Sequence, residues 1–281
     1  MVSWLITGSN RGIGLGFVHK LSADPANVVF AVTRNKSTST DLLELESRLK
    51  NVHVLQADIT DVPSLRNVAK EVEKVTGGSL DVLINNGAYL NQERADYTIE
   101  MYPVIIIMIP VMERKIFLTK TAGNFFNVNV LGVIKTINVF LPLLRKASQT
   151  SLAKVITIGS AAGDIEFAVK GNFDFSVPYA ISKAAVNMAT AKYAARFKGD
   201  NFLFLSLAPG VVNTRPDLPE EVQKEIFGLY IERFQAGYPE WDGKLITPEE
   251  SVTAMLNVVS KLTANDSGKS LSQHGDSKKW L

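Results

Sequence analysis

The chain has 281 residues, of which 46% are apolar and 21% charged, the balance of an ordinary globular protein that can bury a sizeable core. Its 30 basic residues nearly match its 28 acidic ones and form no long block, which excludes nucleic acid as an implied partner. The absence of cysteine excludes disulfides, thiolate catalysis and cysteine-ligated metal. No secretion signal or membrane span is recognised, so a cytoplasmic protein is expected.

Short apolar runs alternate with helical patterns along the chain. Most of the runs are apolar on successive residues, which is typical of strands buried on both faces. The predicted strands are 2–6, 28–33, 52–57, 80–84, 155–158 and 202–207. The predicted helices are 12–22, 41–49, 62–75, 124–145 and 178–197, with a further helix that begins near Pro248.

This alternation predicts an α/β fold in one domain over residues 1–281. We expect a single Rossmann-type, doubly wound parallel sheet of about seven strands with helices on both faces. Asp41 is the predicted N-cap of the second helix, with Glu44 at the N3 position. The polar, serine-rich tail after Asn265 is expected to be loosely held.

A glycine-rich loop, TGSNRGIG, links the first strand to the first helix at residues 7–14. Such glycines let the backbone approach a pyrophosphate, and the helix N-terminus offers free N–H groups, although a tight turn alone would also use them. Arg34 stands twenty residues after Gly14, where NAD sites usually carry an acidic residue. Together with Arg11 it favours the 2′-phosphate of NADP(H), unless Arg34 is only a solvated charge.

The segment PYAISKAA, residues 178–185, places Tyr179 four residues before Lys183. On a helix this spacing puts the two side chains on one face, one turn apart. An ammonium beside a phenol favours the ionised phenol and so lowers its pKa toward the range useful for proton transfer. A lone pair of this kind is also common as surface decoration.

Together, the glycine loop and the YAISK segment resemble those of the short-chain dehydrogenases/reductases, and the resemblance covers nearly the whole chain. Further matches follow in the order of the family: DVLINNGA (81–88), NVNVLG (127–132), VITIGSAAG (155–163) and LAPGVVNT (207–214). Two longer segments, LLELESRLKNVHVLQADIT and SVTAMLNVVSKLTANDSGKSL, are most similar to sniffer-like carbonyl reductases and related fungal ketoreductases.

The resemblance implies hydride transfer between a nicotinamide and a carbonyl or alcohol carbon, with four catalytic residues. Tyr179 would be the general acid or base, and Lys183 would lower its pKa and hold the nicotinamide ribose. Ser160 would donate a hydrogen bond to the substrate oxygen. Asn129 would position a water that links Lys183 to solvent. The three histidines show no partner pattern, so no metal site is expected.

The same resemblance implies a set of NADP(H)-binding residues. They are Gly8, Asn10, Arg11, Gly12, Ile13, Gly14, Arg34, Asp58, Ile59, Asn86, Gly87, Ala88, Tyr179, Lys183, Pro209, Gly210, Val212 and Thr214. Of these, Asp58 matches the family position that contacts adenine, and Thr214 would touch the carboxamide.

The sequence departs from the family pattern in two places. The family's Ala-Gly order is reversed at Gly87-Ala88, so the loop must shift if the second position needs a positive φ. Residues 101–121, which include YPVIIIMIPVM, are an unusual insertion. They are interpreted as a pocket wall, a membrane-surface patch too short to span a bilayer, or retained intron sequence. A surplus of isoleucines without helical or strand period favours the last.

Residues 215–247 form the predicted substrate lid within the domain. Pro219 and two glutamates begin a helix there, with Val222, Ile226, Leu229, Tyr230 and Phe234 on one face. An ordinary core-facing helix would show the same pattern. Phe167, Phe173 and Phe175, in the loop between Ser160 and Tyr179, border the pocket in the family, so a bulky apolar or aromatic ketone or aldehyde is the expected substrate.

The leading hypothesis is an NADPH-dependent carbonyl reductase. Two alternatives stay open: a non-catalytic NADP-binding regulatory protein, and an inactive product of a gene model with a retained intron. The two long helices that carry Asn129 and Tyr179 form the dimer face in many relatives, so the resemblance implies a homodimer or homotetramer.

Overall fold

A computed structural model describes residues 1–90 and 123–281. The predicted insertion at 101–121 lies outside the described residues. Seven parallel strands form one sheet in the order β3-β2-β1-β4-β5-β6-β7. The strands are β1 Val2–Thr7, β2 Asn27–Thr33, β3 Val52–Gln56, β4 Val82–Asn85, β5 Ala153–Ile158, β6 Phe202–Ala208 and β7 Ser270–Ser272. The predicted parallel α/β sheet is confirmed.

Helices cover both faces of this sheet. Those of the described residues that we number are α1 Gly12–Ser22, α2 Thr40–Arg48, α3 Val62–Thr76, α4 Gly123–Ser148, α5 Ile165–Lys170, α6 Val177–Arg196, α7 Glu220–Gly237 and α8 Pro248–Lys261. Single turns at Ala161–Gly163 and Ala264–Asp266 are 3₁₀ helices. Each sheet strand and long helix predicted from periodicity lies within a few residues of the observed bounds.

The strands are apolar on successive residues because each contributes to two cores. Neighbouring residues of a strand point to opposite faces, and here both faces are covered. Leu5 of β1 belongs to the core shared with α3, α4 and α6, which includes Phe140 and Val186. The next residue, Ile6, belongs to the core shared with α1, α2 and α8, which includes Phe17.

Two helix starts show how local signals succeed and fail. The Asp61 carboxylate accepts from the backbone N–H of Ser64 at 3.0 Å and caps α3. The predicted cap of α2 at Asp41 is wrong: that helix begins at Thr40, and its N-cap residue is Ser39. The Ser39 hydroxyl makes no cap because it bonds Thr33 Oγ1 at 3.0 Å and the carbonyl oxygen of Asn35 at 2.8 Å.

Helix α4 contains a π-helical stretch at Asn127–Gly132, which includes Asn129. Such bulges are rare and occur often at functional sites. The helix is long and apolar enough to cross a membrane by length and composition alone, and half of its apolar 18-residue stretch is buried in the fold. Its apolar character is accounted for by its core residues, among them Ile137, Phe140 and Leu144.

The tail after Asn265 is packed against the fold, so the expectation of a loose tail is wrong. Residues Ser270–Ser272 form β7, which pairs with β6. Trp280 is 3% exposed and packs into an aromatic cluster with Phe167 and Tyr238. A three-residue strand between serines has too little apolar pattern to be recognised, and a single tryptophan gives no periodicity.

Candidate active site

The order of the strands reverses between β1 and β4, which is where ligands bind in doubly wound sheets. Asn86 follows β4 and ties the two strand ends together. Its side-chain Nδ2 donates to the carbonyl oxygens of Thr7 and Gly8, both at 3.0 Å. The Thr7 hydroxyl in turn accepts from the backbone N–H groups of Asn86 at 3.1 Å and Gly87 at 3.0 Å.

The glycine loop is held in a form that only glycine fits. Gly8 has φ +66°, and a methyl group there would lie 2.6 Å from the Cα atom of Gly87. Gly12 has φ +54°, and a methyl group there would lie 3.2 Å from Cβ of Thr214. The loop, the segment after β4 and the segment after β6 therefore meet at this edge of the sheet. Helix α1 begins here without a side-chain cap, so its first N–H groups suit an anion such as a pyrophosphate.

The reversed Gly87-Ala88 pair fits the fold without strain. Neither residue has a positive φ, so alanine at the second position meets no backbone penalty. A methyl group on Gly87 would touch Ile59 and Thr7 at an ordinary 3.4 Å. The predicted shift of this loop is therefore not needed.

The two arginines expected near the cofactor phosphate are exposed and follow the first and second strands. Arg34 comes directly after β2, and Arg11 immediately precedes α1. Neither forms an ion pair with another residue of 1–90 or 123–281. Asp58 lies near the end of β3, where its carboxylate accepts from the Thr60 backbone at 2.8 Å and the Thr60 hydroxyl at 2.7 Å.

Other residues of the expected cofactor set sit around these. Asn10 and Ala88 are exposed, Ile13 packs on the core beneath α1, and Ile59 is buried. Contacts to its own main chain fix the Pro-Gly segment after β6. Ser251 Oγ donates to the carbonyl oxygen of Pro209 at 2.7 Å, and Val212 pairs with Ile246.

The serine, tyrosine and lysine candidates converge beyond the end of β5. The Ser160 hydroxyl lies near enough to the Tyr179 phenol to act on its pKa, and it accepts from the backbone N–H of Ala162 at 3.2 Å. The Lys183 Nζ atom donates to the carbonyl oxygen of Ile158 at 2.7 Å and lies 5.6 Å from the centroid of the Tyr179 ring. Gly163 permits this arrangement, because a methyl group there would lie 2.7 Å from the backbone carbon of Lys183.

Burial controls the proton affinities of this group. Burial raises the pKa of Tyr179 to about 12, although the neighbouring Ser160 hydroxyl acts to lower it. Burial lowers the pKa of Lys183 to about 8. The predicted lowering of the Tyr179 pKa by Lys183 is therefore wrong for the protein chain alone. The cost of desolvating a phenolate exceeds the help that the chain supplies.

Asn129 lies beside this group, with both its amide oxygen and its amide nitrogen hydrogen-bonded. Its Oδ1 accepts from the backbone N–H of Tyr89 at 2.7 Å, and its Nδ2 donates to the Tyr89 carbonyl at 3.1 Å and to Ser182 Oγ at 3.0 Å. Asn129 thus links the segment after β4 to α6. Tyr89 and Ser182 were not predicted as site residues: Tyr89 lies just outside the DVLINNGA segment, and Ser182 lies within YAISK but was given no role there.

The phenylalanines expected to border the pocket are instead buried in an aromatic cluster. Phe167, Phe173 and Phe175 are fully or almost fully buried, and Phe167 lies in helix α5. The partly buried aromatic side chains packed on this cluster include Tyr179, Tyr230 and Trp241. Tyr230 lies on α7, the helix of the predicted lid.

The expected apolar face of α7 holds only in part. Phe234 is buried and belongs to the aromatic cluster, whereas Val222 is 36% exposed. Gln223 instead anchors the first turns by hydrogen bonds to Asn213 and Leu218, both at 2.7 Å. Among the described residues, no group of three or more His, Cys, Asp or Glu side chains is placed to hold a metal ion.

Comparison with known proteins gives the family. The family model described as short chain dehydrogenase matches residues 3–224. The chain belongs to this family. It is 41% identical over 281 residues to the short-chain dehydrogenase/reductase atnB of Arthrinium sp, with all of both chains covered. The chain is therefore an oxidoreductase of the short-chain dehydrogenase/reductase type.

Solved structures of carbonyl reductases share the fold. The NADPH-bound carbonyl reductase from chicken fatty liver is 29% identical, with a TM-score of 0.76, and the match covers 99% of this chain and 98% of that one. The carbonyl reductase Sniffer of Drosophila melanogaster is 25% identical, with a TM-score of 0.74 and complete coverage of both chains. The predicted similarity to sniffer-like carbonyl reductases is confirmed.

Proposed function

We propose that this dehydrogenase reduces the carbonyl group of a bulky apolar or aromatic ketone or aldehyde to an alcohol, with NADPH as cofactor. The observation that carries the proposal is the convergence of Ser160, Tyr179 and Lys183 beside the aromatic cluster, with Lys183 Nζ 5.6 Å from the centroid of the Tyr179 ring. Carbonyl reductases among the structural neighbours, one of them bound to NADPH, support the same reaction class.

Bound NADPH would supply the hydride to the carbonyl carbon. As negative charge builds on the carbonyl oxygen, Tyr179 donates its phenolic proton to that oxygen and Ser160 donates a hydrogen bond to it. With a pKa of about 12, Tyr179 is protonated at neutral pH, as an acid must be before it acts. A positive charge brought beside the phenol would lower that pKa toward the working range.

Lys183 and Asn129 would support this proton transfer. The ammonium of Lys183, fixed on the Ile158 carbonyl, would hold the nicotinamide ribose and help resupply the proton. Asn129, fixed on Tyr89 and Ser182, would position the water through which that proton arrives.

The cofactor would lie across the carboxyl ends of β1 and β4, where the order of the strands reverses. The glycine loop and the N-terminus of α1 would hold the pyrophosphate, and Arg11 and Arg34 would pair with the 2′-phosphate of NADPH. Asp58 would contact adenine, and the Pro209–Thr214 segment would cover the nicotinamide. The exposure of both guanidiniums supports this preference for NADPH over NADH.

The experiment is a titration of the purified protein with NADPH and NADH, followed by a turnover assay on two sets of carbonyl compounds. We expect tighter binding of NADPH and its oxidation by bulky aromatic ketones or aldehydes. Turnover of small polar carbonyls alone would contradict the substrate class. Tight NADPH binding without turnover of any carbonyl would favour a regulatory NADP-binding protein.

A further inference from the structure

The segment after β7 lies beside the segment after β6. Ser272, the last residue of β7, is in register with Ala208, the last residue of β6. Because the two strands are parallel, the residues that follow them leave the sheet side by side at its carboxyl edge. These residues are Pro209 and Gly210 after β6, and Gln273 after β7. A glutamine outside the family motifs is thereby placed beside the segment proposed to cover the nicotinamide.

The amide of Gln273 lies directly against Gly210. Gly210 has φ +82°, and a methyl group on it would lie 2.7 Å from Nε2 and 3.0 Å from Cδ of Gln273. Proline followed by a glycine of positive φ is typical of a type II turn. Only the absence of a side chain on Gly210 lets the amide approach so closely. The amide in turn limits where the Pro209–Gly210 turn can lie.

Stability alone does not account for a glutamine at this position. Gln273 is only 7% exposed. Its Nε2 donates to Nε2 of His274 across 3.1 Å when that ring nitrogen carries no hydrogen. Its buried Oε1 has no hydrogen-bond partner in the part of the chain that the structure describes. A buried amide oxygen without a donor destabilises a fold, so this side chain calls for another explanation.

His274 is itself fixed by the turn that follows β7. Its backbone N–H donates to Ser272 Oγ at 3.2 Å, and the N–H of Gly275 donates to the Ser272 carbonyl oxygen at 2.9 Å. In the tautomer with hydrogen on Nε2, the ring instead donates to the carbonyl oxygen of Leu281 at 3.1 Å. The imidazole is thus held in place beside the amide of Gln273.

We propose that Gln273 is a positioning residue that holds the Pro209–Gly210 turn over the nicotinamide of NADPH, with His274 as its anchor. This inference rests on the proposed binding of NADPH. Gln273 acts through its contact with Gly210 and touches no reacting group. Its loss should therefore weaken binding of the nicotinamide end of the cofactor and spare the adenine end, which lies toward β2 and β3.

The test compares two ligands by calorimetry on the full chain: NADPH, and 2′-phospho-ADP-ribose, which lacks the nicotinamide. Gln273→Met keeps the length of the side chain and removes the amide, and His274→Ala removes the anchor. Gln235→Met is the matched control. The Gln235 amide likewise lies against a glycine of positive φ, Gly243, which is not among the expected cofactor-binding residues.

We expect Gln273→Met and His274→Ala each to raise the Kd of NADPH about 3- to 10-fold and to leave that of 2′-phospho-ADP-ribose within about 1.5-fold. The double variant should bind NADPH within about twofold of the weaker single variant, because the two residues act through one contact. The urea midpoint of Gln273→Met should not fall, since this variant loses an unpaired buried oxygen. Gln235→Met should change neither Kd.

Three results would overturn the inference. Equal rises in the Kd of both ligands would show a general loosening of the fold. An unchanged Kd of NADPH in Gln273→Met would show that the amide does not hold the turn. Losses that multiply in the double variant would show that Gln273 and His274 act independently.

Turnover separates this inference from the proposed reaction. A loss of NADPH affinity confined to the nicotinamide end, in a protein that reduces no carbonyl compound, would support the inference and contradict the reaction. Reduction of aromatic ketones by an enzyme whose Kd for NADPH is the same in wild type and Gln273→Met would overturn the inference and leave the reaction intact.

Discussion

The Lys183 ammonium donates to the carbonyl oxygen of Ile158 across 2.7 Å. Ile158 ends β5, two residues before Ser160, so this bond ties α6 to the strand that delivers the serine. Lys183 is only 5% exposed, and its Nζ lies 5.6 Å from the centroid of the Tyr179 ring. The main chain of the sheet thus sets the position of the lysine. Burial of its charge makes the free energy of unfolding depend on pH.

The free energy of unfolding should rise with pH between about pH 8 and 10. Burial lowers the pKa of Lys183 from 10.5 to about 8, so in this window the unfolded chain binds more protons at this site than the folded one. Unfolding free energy then increases with pH, by about 2 kcal/mol from roughly pH 7.5 to 9.5. Above about pH 10 the raised pKa of Tyr179 acts in the opposite direction.

Urea unfolding of wild type and Lys183→Met at these two pH values measures the effect. The variant lacks the titrating group, so the difference between the two proteins isolates Lys183 from other groups. An identical pH dependence in both would show that the lysine is not desolvated in this way.

Substitution of Gly8 by alanine should cost at least about 2 kcal/mol of stability and abolish NADPH binding. The new methyl group would be forced into a positive φ and placed 2.6 Å from the Cα atom of Gly87. Gly228→Ala is the opposite case, because within the described residues nothing lies within 4 Å of its new methyl group. Gly228 is inside α7, so this change should stabilise the fold by about 0.5 to 1 kcal/mol.

Thermal and urea unfolding of the two variants test the predicted loss and gain of stability, and NADPH titrations test the predicted loss of binding. A Gly8→Ala protein that binds NADPH as tightly as wild type would contradict the close approach of the loop to Gly87.

Loss of the Arg34 guanidinium should weaken NADPH binding and spare NADH. A hydrogen-bonded ion pair with a phosphate contributes about 1.5 to 3 kcal/mol, so Arg34→Ser should raise the Kd of NADPH about 10- to 100-fold. Arg48→Ser is the control, since Arg48 is exposed on α2 and pairs with Glu44 instead. Equal changes in the Kd of NADPH and of NADH would show that Arg34 does not recognise the 2′-phosphate.

Much of this fold could be predicted from the sequence because local signals agree with tertiary structure. In the run 28–33 every residue before Thr33 is apolar because Phe30 and Ala31 enter opposite cores, and this doubly buried pattern is typical of a covered parallel strand. The Asp61 cap is likewise a short-range feature, with its cause three residues away. The glycine loop was recognised from its spacing, although the neighbours that require glycine there, Gly87 and Thr214, are distant in the chain. Motif order then identified the family.

The rest depended on contacts between residues distant in the chain. Strand β7 exists because Ser270–Ser272 meets β6, and nothing in its own three residues indicates a strand. The helix start predicted at Asp41 was wrong: Ser39 is the N-cap residue of α2, and its hydroxyl is held by bonds to Thr33 and Asn35.

The least predictable parts of the site were long-range as well. The pKa of Tyr179 depends on burial by distant elements, which the spacing to Lys183 does not encode. The bond of Ser176 to Tyr230 joins residues 54 positions apart. Periodicity placed Tyr230 on an apolar face and gave no signal for its polar partner.

The most direct test of the account is the turnover of Tyr179→Phe compared with Tyr193→Phe. Both lie on α6, but the Tyr193 hydroxyl donates to Asn138 Oδ1 at 2.8 Å, away from Ser160. For an aromatic ketone that wild type reduces, Tyr179→Phe should lower kcat about a hundred- to ten-thousand-fold, with NADPH binding within about threefold of wild type. Tyr193→Phe should keep both. A Tyr179→Phe enzyme that retains more than about a tenth of wild-type kcat would contradict proton donation by Tyr179.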